Sequence, residues 1–145
     1  KKTRKRFEQK LEKLGFTADS KIEWATKGMG RALSFQIDLD SKRMAIYSLG
    51  PRAYLGMIKF SEIEKVYVKI DDRLVIQRHL NTYSIDPIIK SITLYINTNN
   101  IKQPIYKWGV SFKKPKSRDD TTVKELIEWF YKCSSSIEHI IKQYR

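Results

Sequence analysis

For acid–base, nucleophilic or metal chemistry the chain offers two histidines, one cysteine and 16 carboxylates. His79 and His139 stand 60 positions apart, on different expected elements. A nucleophilic Cys–His pair would have to use Cys133. That residue follows Phe130 by three and precedes Ile137 by four, which places it on an apolar helical stripe. His139, six further on, falls on another face, so Cys133 reads as a small buried hydrophobe. A zinc site needs about four ligands, usually Cys and His at close spacing, and the chain has no such cluster. Asp71-Asp72 reads as turn chemistry between strands, and Asp119-Asp120 as the start of a helix. Gly28-Met29-Gly30 lacks the third glycine of a dinucleotide fingerprint and precedes a strand, so it reads as a hairpin tip. We expect no catalytic residue, no cofactor and no metal.

Charge is the more informative feature. The 145 residues hold 29 Lys and Arg against 16 Asp and Glu, a formal net charge of +13. A magnitude of about 2–8 is enough to keep a small domain soluble. Residues 1–14 hold seven basic residues against two acidic ones, and Lys113-Lys114-Pro115-Lys116-Ser117-Arg118 adds four more. Two segments therefore carry most of the excess, and they suit the phosphates of lipid or nucleic acid. Tyr47, Tyr54, Tyr83, Tyr95 and Tyr106 are aromatics that, where exposed, stack on bases, yet they spell no RNA-recognition signature. Trp24, Trp108 and Trp129 are expected to pack in the core.

Hydrophobic residues make up 41% of the chain, too many for a disordered one, and the length suits one domain. The chain begins at Lys1, and we expect an excised or processed piece of a longer product. One thiol and no Asn-x-Ser/Thr sequon favour the cytoplasm, with membrane association left to segments outside the chain.

Phe7, Leu11 and Leu14 recur at helical spacing before Gly15, giving a short basic N-terminal helix, an arm of residues 1–15. From residue 21 to 112 the period is 2. Leu33, Phe35, Ile37 and Leu39 alternate with polar residues; Asp40-Ser41-Lys42 turns the chain into Met44–Tyr47. Tyr54–Phe60, Val66–Ile70, Leu74–Gln77, Ile92–Ile96 and Tyr106–Phe112 continue the pattern, with a loop from Leu80 to Ile89. Seven or eight short-turned strands with no intervening helix make an antiparallel sheet. A basic linker at 113–118 then leads to a helix at 119–144, opened by a Thr122/Glu125 capping box. Its apolar stripe runs through Val123, Leu126, Phe130, Cys133, Ile137 and Ile140. The fold class is thus β with flanking helices: one domain at 16–145, an antiparallel barrel or sandwich with a long C-terminal α-helix.

That order of strands and helix resembles the pleckstrin-homology-like barrel. In detail, residues 16–72 are similar to a group of uncharacterised bacterial and phage-associated proteins. The matching text is Ala32–Asp38 with the Asp40–Arg43 turn, then Ile58–Val66 and Ile70-Asp71-Asp72. The resemblance implies a basic turn between the first two strands, as in members that bind phosphoinositides. Lys27 and Arg31 match it in charge, and Arg52 and Lys102 are expected to reach the same anion- or lipid-binding end. The plainer reading is that Gly28 and Gly30 supply positive φ in a hairpin.

The function expected from all this is a non-catalytic binding module that contacts a protein partner or an anionic membrane surface. The alternative is a nucleic-acid-associated protein using the basic segments; an enzyme is the reading the residue inventory argues against.

Overall fold

A computed structural model describes residues 2–25, 32–50, 53–74 and 87–144. The elements are α1 (Lys2–Lys13), β1 (Ser20–Ala25), β2 (Ala32–Asp38), β3 (Arg43–Leu49), β4 (Tyr54–Lys59), β5 (Ile63–Ile70), β6 (Arg73–Leu74), β7 (Ile88–Thr98), β8 (Ile105–Ser117) and α2 (Thr121–Tyr144). All strand pairs are antiparallel. They form two four-stranded sheets, ordered β1-β2-β3-β4 and β6-β5-β7-β8. The contacts gather into two compact units: Lys1–Glu62 with Tyr144–Arg145, and Ile63–Gln143. Among the described residues, strand pairing shows the antiparallel β class with flanking helices that the sequence predicts, as two four-stranded sheets.

In the first unit α1 lies on one face of its sheet. A helix of 12 residues is marginal alone in water, so packing has to hold it. Phe7 and Leu11 are buried, Phe7 against the Tyr47 ring (centroids 5.6 Å apart). Glu8 accepts from the Tyr47 hydroxyl (2.8 Å) and from Gln36 Nε2 (3.4 Å). The expected apolar stripe is therefore real at two of its three positions, while Leu14 is exposed. An arm free of the sheet would leave these groups in solvent; here they face Gln36, Ala45 and Tyr47. Tyr47, expected among the aromatics available for stacking, is fully buried. Burial and the bond to Glu8 push its hydroxyl up to about 12.

The helix ends where Gly15 takes φ 73°. Phe16 N–H reaches Leu11 C=O (2.9 Å) and Gly15 N–H reaches Glu12 C=O (3.0 Å), while Phe16 packs on Leu11. This is a Schellman end with its apolar contact. A carboxylate clasp then ties the following residues to the β2–β3 turn. Asp38 accepts from Thr17 N–H (2.9 Å), Ser41 Oγ (2.6 Å) and Ser41 N–H (3.2 Å). Asp19 accepts from Leu39 N–H (2.6 Å). Arg43 donates to Ser41 Oγ and to Leu14 C=O, both at 2.9 Å. Burial works to raise the Asp38 pKa, but the Ser41 and Thr17 bonds, with Arg43 nearby, hold it below the usual carboxylate value.

In the second unit the inward residues line up across strands: Val66, Ile96 and Tyr106; Val68, Leu94 and Trp108; Ile70, Ile92 and Val110. All nine are buried. Trp108 meets Trp129 and Phe130 of α2 edge-on, at 5.0 and 6.0 Å between centroids. Two of the three tryptophans thus share this core; Trp24 is half-buried on β1 in the first unit. Cys133 is fully buried, and burial pushes its thiol up. His139 is exposed on α2, and His79 lies outside the described residues.

Three boundaries differ from the sequence reading. Residues 113–117 are not a linker but the end of β8, where Ile89 pairs with Lys116 and Ile88 with Ser117. Pro115 is tolerated there because β8 is an edge strand and the register is already broken between Ile89 and Ser91. The helix cap is Asp120 rather than Thr122: its Oδ1 accepts from Thr122 N–H (2.9 Å) and Val123 N–H (3.2 Å). Ile88 and Ile89, expected in a loop, open β7.

Phe130→Ala is expected to cost about 3–5 kcal/mol in chemical denaturation, because the ring is fully enclosed. A cost below ~1 kcal/mol would remove α2 from the core. Asp38→Ala is expected to cost about 1–2 kcal/mol at pH 7, since it leaves donors unmatched. The folded pKa lies below the unfolded value near ~3.9, so this stabilisation is present above that value and is lost as pH falls through the folded one. Melting curves of wild type and variant should therefore converge only on acidification below about pH 4. A constant gap down to pH 2 would contradict the clasp.

Candidate functional site

Strand alternation sends the residues between the core positions of β5, β7 and β8 to the opposite face of the second sheet. Register then decides which of them become neighbours. Lys65, Asn97 and Ile105 form one row; Tyr67, Tyr95 and Lys107 the next; Leu74, Lys69, Thr93 and Gly109 the third. Ser91 and Ser111 follow. The residues at the middle of this face are half-buried and its lysines on β5 and β8 reach solvent.

Tyr67 and Tyr95 are directly opposite and stack, with centroids 5.1 Å apart and ring planes 5° from parallel. Three ammonium groups gather over the pair. Lys65 Nζ lies 5.4 Å from the Tyr67 centroid, Lys107 Nζ 5.7 Å from that of Tyr95. Lys69 Nζ lies 5.9 Å from Tyr67 and 5.0 Å from Tyr95. Each distance is within the ~6 Å range of a cation–π contact. Among the described residues none of these three lysines forms an ion pair with a carboxylate. The site is an aromatic pair holding positive charge at a polar surface. Its nearest side-chain neighbours, Asn97, Thr93, Ser91 and Ser111, are uncharged.

Of the carboxylates nearby in sequence, Asp71 serves the backbone. Asp71 and Asp72 have φ of 51° and 63°, both positive, as the two-residue β5–β6 hairpin requires. Asp71 Oδ1 accepts from Lys90 N–H (2.7 Å) and Ser91 N–H (2.9 Å), which pins the start of β7. Glu64 falls at the register shift between Ile63 and Lys65. Among the described residues no group of three His, Cys, Asp or Glu could hold a metal ion, and no helix is long and apolar enough to cross a membrane.

Of the four residues expected at an anion-binding end, Lys27, Arg31 and Arg52 lie outside the described residues, as do Gly28, Met29 and Gly30. Lys102 is exposed in the β7–β8 turn. That turn is fixed by Thr98 Oγ1 donating to Gln103 C=O (2.6 Å) and by Lys102 N–H donating to Asn100 Oδ1 (2.9 Å). Of the tyrosines named from sequence, Tyr95 belongs to the face and Tyr106 is buried in the core, while Tyr83 lies outside the described residues. Tyr67 and the three lysines over the tyrosine pair were not singled out by sequence. The available signal was Lys65-x-Tyr67-x-Lys69 in the polar phase of a strand.

Comparison with protein-family models, curated proteins and solved structures finds no match to this chain.

One glycine sets the geometry of the face. A Cβ on Gly109 would collide with Ile92 O and meet Thr93 Cα at 2.8 Å, both backbone atoms that cannot step aside. Gly109→Val is therefore expected to cost about 1–3 kcal/mol and to move Lys107, two residues away, off Tyr95. Chemical denaturation followed through tryptophan fluorescence measures the first. A change within ~0.5 kcal/mol would mean that β8 does not depend on this close approach.

Proposed function

We propose that the chain is a non-catalytic binding module that takes an anionic macromolecular surface on the Tyr67–Tyr95 face. The observation that carries this reading is the set of three lysines held over one aromatic pair without carboxylate partners among the described residues. Surface lysines are ordinarily scattered and mobile. Here two rings gather three of them on one patch, so a partner meets concentrated charge beside an aromatic pair. The overall excess of +13 adds long-range attraction for the same partners. A pleckstrin-homology-like domain acting in the cytoplasm is the fold and setting of this proposal, supported by antiparallel strands followed by the long amphipathic α2.

The test is a combined Lys65→Ala, Lys69→Ala and Lys107→Ala variant. Each lysine lost from contact with an anionic surface is worth up to ~1 kcal/mol, so binding to phosphatidylserine vesicles, heparin or oligonucleotides should fall about 10- to 100-fold at low salt. A control removing Lys5, Lys10 and Lys13 of α1 takes away equal charge and should cost less than about 3-fold. If Lys27→Ala with Arg31→Ala abolishes binding while the sheet variant leaves it unchanged, the site is the loop of the resemblance and this proposal fails.

A further inference from the structure

Resting on that reading, we infer that the occupant of the face is a single-stranded nucleic acid. The argument is what each class of anionic partner would leave unused. A bilayer uses lysines together with apolar side chains that rise between them into the acyl region. On this face the apolar residues Leu74 and Ile105 stand on the two edge strands, β6 and β8, with the tyrosines and lysines between them. The residues among the lysines are Asn97, Thr93, Ser91 and a glycine, so the middle has nothing to insert.

An acidic protein or a duplex satisfies the ammonium groups but leaves the rings idle. Carboxylates have no extended π-face, and duplex bases are already stacked on each other. A single strand offers both halves at once, with phosphates for Lys65, Lys69 and Lys107 and free base faces for a tyrosine stack. The Tyr67–Tyr95 stack has its inner faces closed, 5.1 Å apart, so a base adds to an outer face. Lys65 lies 5.4 Å from the Tyr67 centroid and Lys107 5.7 Å from that of Tyr95, beside the surfaces a base would take. A lysine chain is flexible enough to move aside, and its ammonium then stays within reach of the incoming strand's phosphate. In the adjoining row Asn97 Oδ1 is enclosed without a hydrogen-bond partner, an acceptor beside the rings. Stacking with phosphate contact and little edge readout makes binding tolerant of sequence.

The experiment measures binding of the full chain to a fluorescent 20-nucleotide oligo(dT), a duplex of equal length, heparin and phosphatidylserine vesicles. Tyr67→Leu with Tyr95→Leu keeps the lysines and removes the rings; Tyr67→Phe with Tyr95→Phe keeps the rings. The single strand is expected to bind tightest per unit charge. The Leu variant should lose it about 10- to 100-fold while duplex, heparin and vesicles change less than about 3-fold, and the Phe variant should retain it. Removing the three lysines should flatten the log–log salt slope for oligo(dT) by about 2. Thermal melting of each variant separates lost binding from lost folding. Should the Leu variant misfold, the wild-type ranking of oligo(dT) against duplex, heparin and vesicles per unit charge still decides. If the rings can be removed without selective loss of the single strand, or vesicles or duplex bind tighter, this inference falls while the basic face survives. If the lysine variant binds every probe as wild type does, the binding-face reading falls as well.

Discussion

The register between β5, β7 and β8 is the constraint on which the second unit depends. A slip of one residue in any of these strands would exchange its core row for its solvent row. Val68, Leu94 and Trp108 would face water, and Tyr67, Tyr95 and Lys107 would face α2. Burial of nine apolar side chains therefore fixes the outward row as firmly as the inward one, although the outward residues add little to stability. The two irregularities lie outside the shared rows, between Ile63 and Lys65 and between Ile89 and Ser91. Between them the ladder is regular, and it is there that the rings stack. Asp71 reinforces this from the side by holding the backbone of Lys90 and Ser91 next to the second irregularity.

The first unit solves a different problem. Its sheet carries Ser34, Gln36 and Tyr47 on the face under α1, polar groups that need partners once covered. Glu8 supplies one for Gln36 and Tyr47, and Ser34 Oγ accepts from Gln36 Nε2 (3.1 Å). A basic helix that looks expendable by composition is thus bound by both burial and polar satisfaction. Its lysines project from the other side, which is why net charge and packing can coexist in the same 12 residues.

Much of this fold was legible in sequence, because period 2 and period 3.6 report directly on half-buried strands and an amphipathic helix. The β2–β3 hairpin, the Asp71-Asp72 turn, the helix end at Gly15 and the buried Cys133 all follow from local chemistry. What local chemistry misses is context. Pro115 reads as a strand breaker unless β8 is known to be an edge, and Asp120 competes with Thr122 for the cap on backbone geometry alone. The candidate face was hidden for a stronger reason. Tyr67 and Tyr95 are 28 residues apart, and nothing within either segment says that they will be opposite one another.

Charge sums along the chain conceal the same face. Residues 63–74 hold Lys65, Lys69 and Arg73 against Glu64, Asp71 and Asp72, a segment that sums to neutral. Folding separates the signs by giving them different work. The aspartates enter a hairpin whose φ values suit them, one of them bonding to the β7 backbone, and Glu64 falls at a register shift. Lys65 and Lys69 remain in the strand's outward phase, two residues to either side of Tyr67, and Lys107 arrives from β8. Linear charge counting points to residues 1–14 and 113–118, whereas strand alternation gathers Lys65, Lys69 and Lys107, from two distant strands, on one face. Dense runs such as residues 1–14 attract any anion at a distance. A face on which charge and rings are fixed at set positions can also choose among anions, and choice is what a binding module adds to attraction.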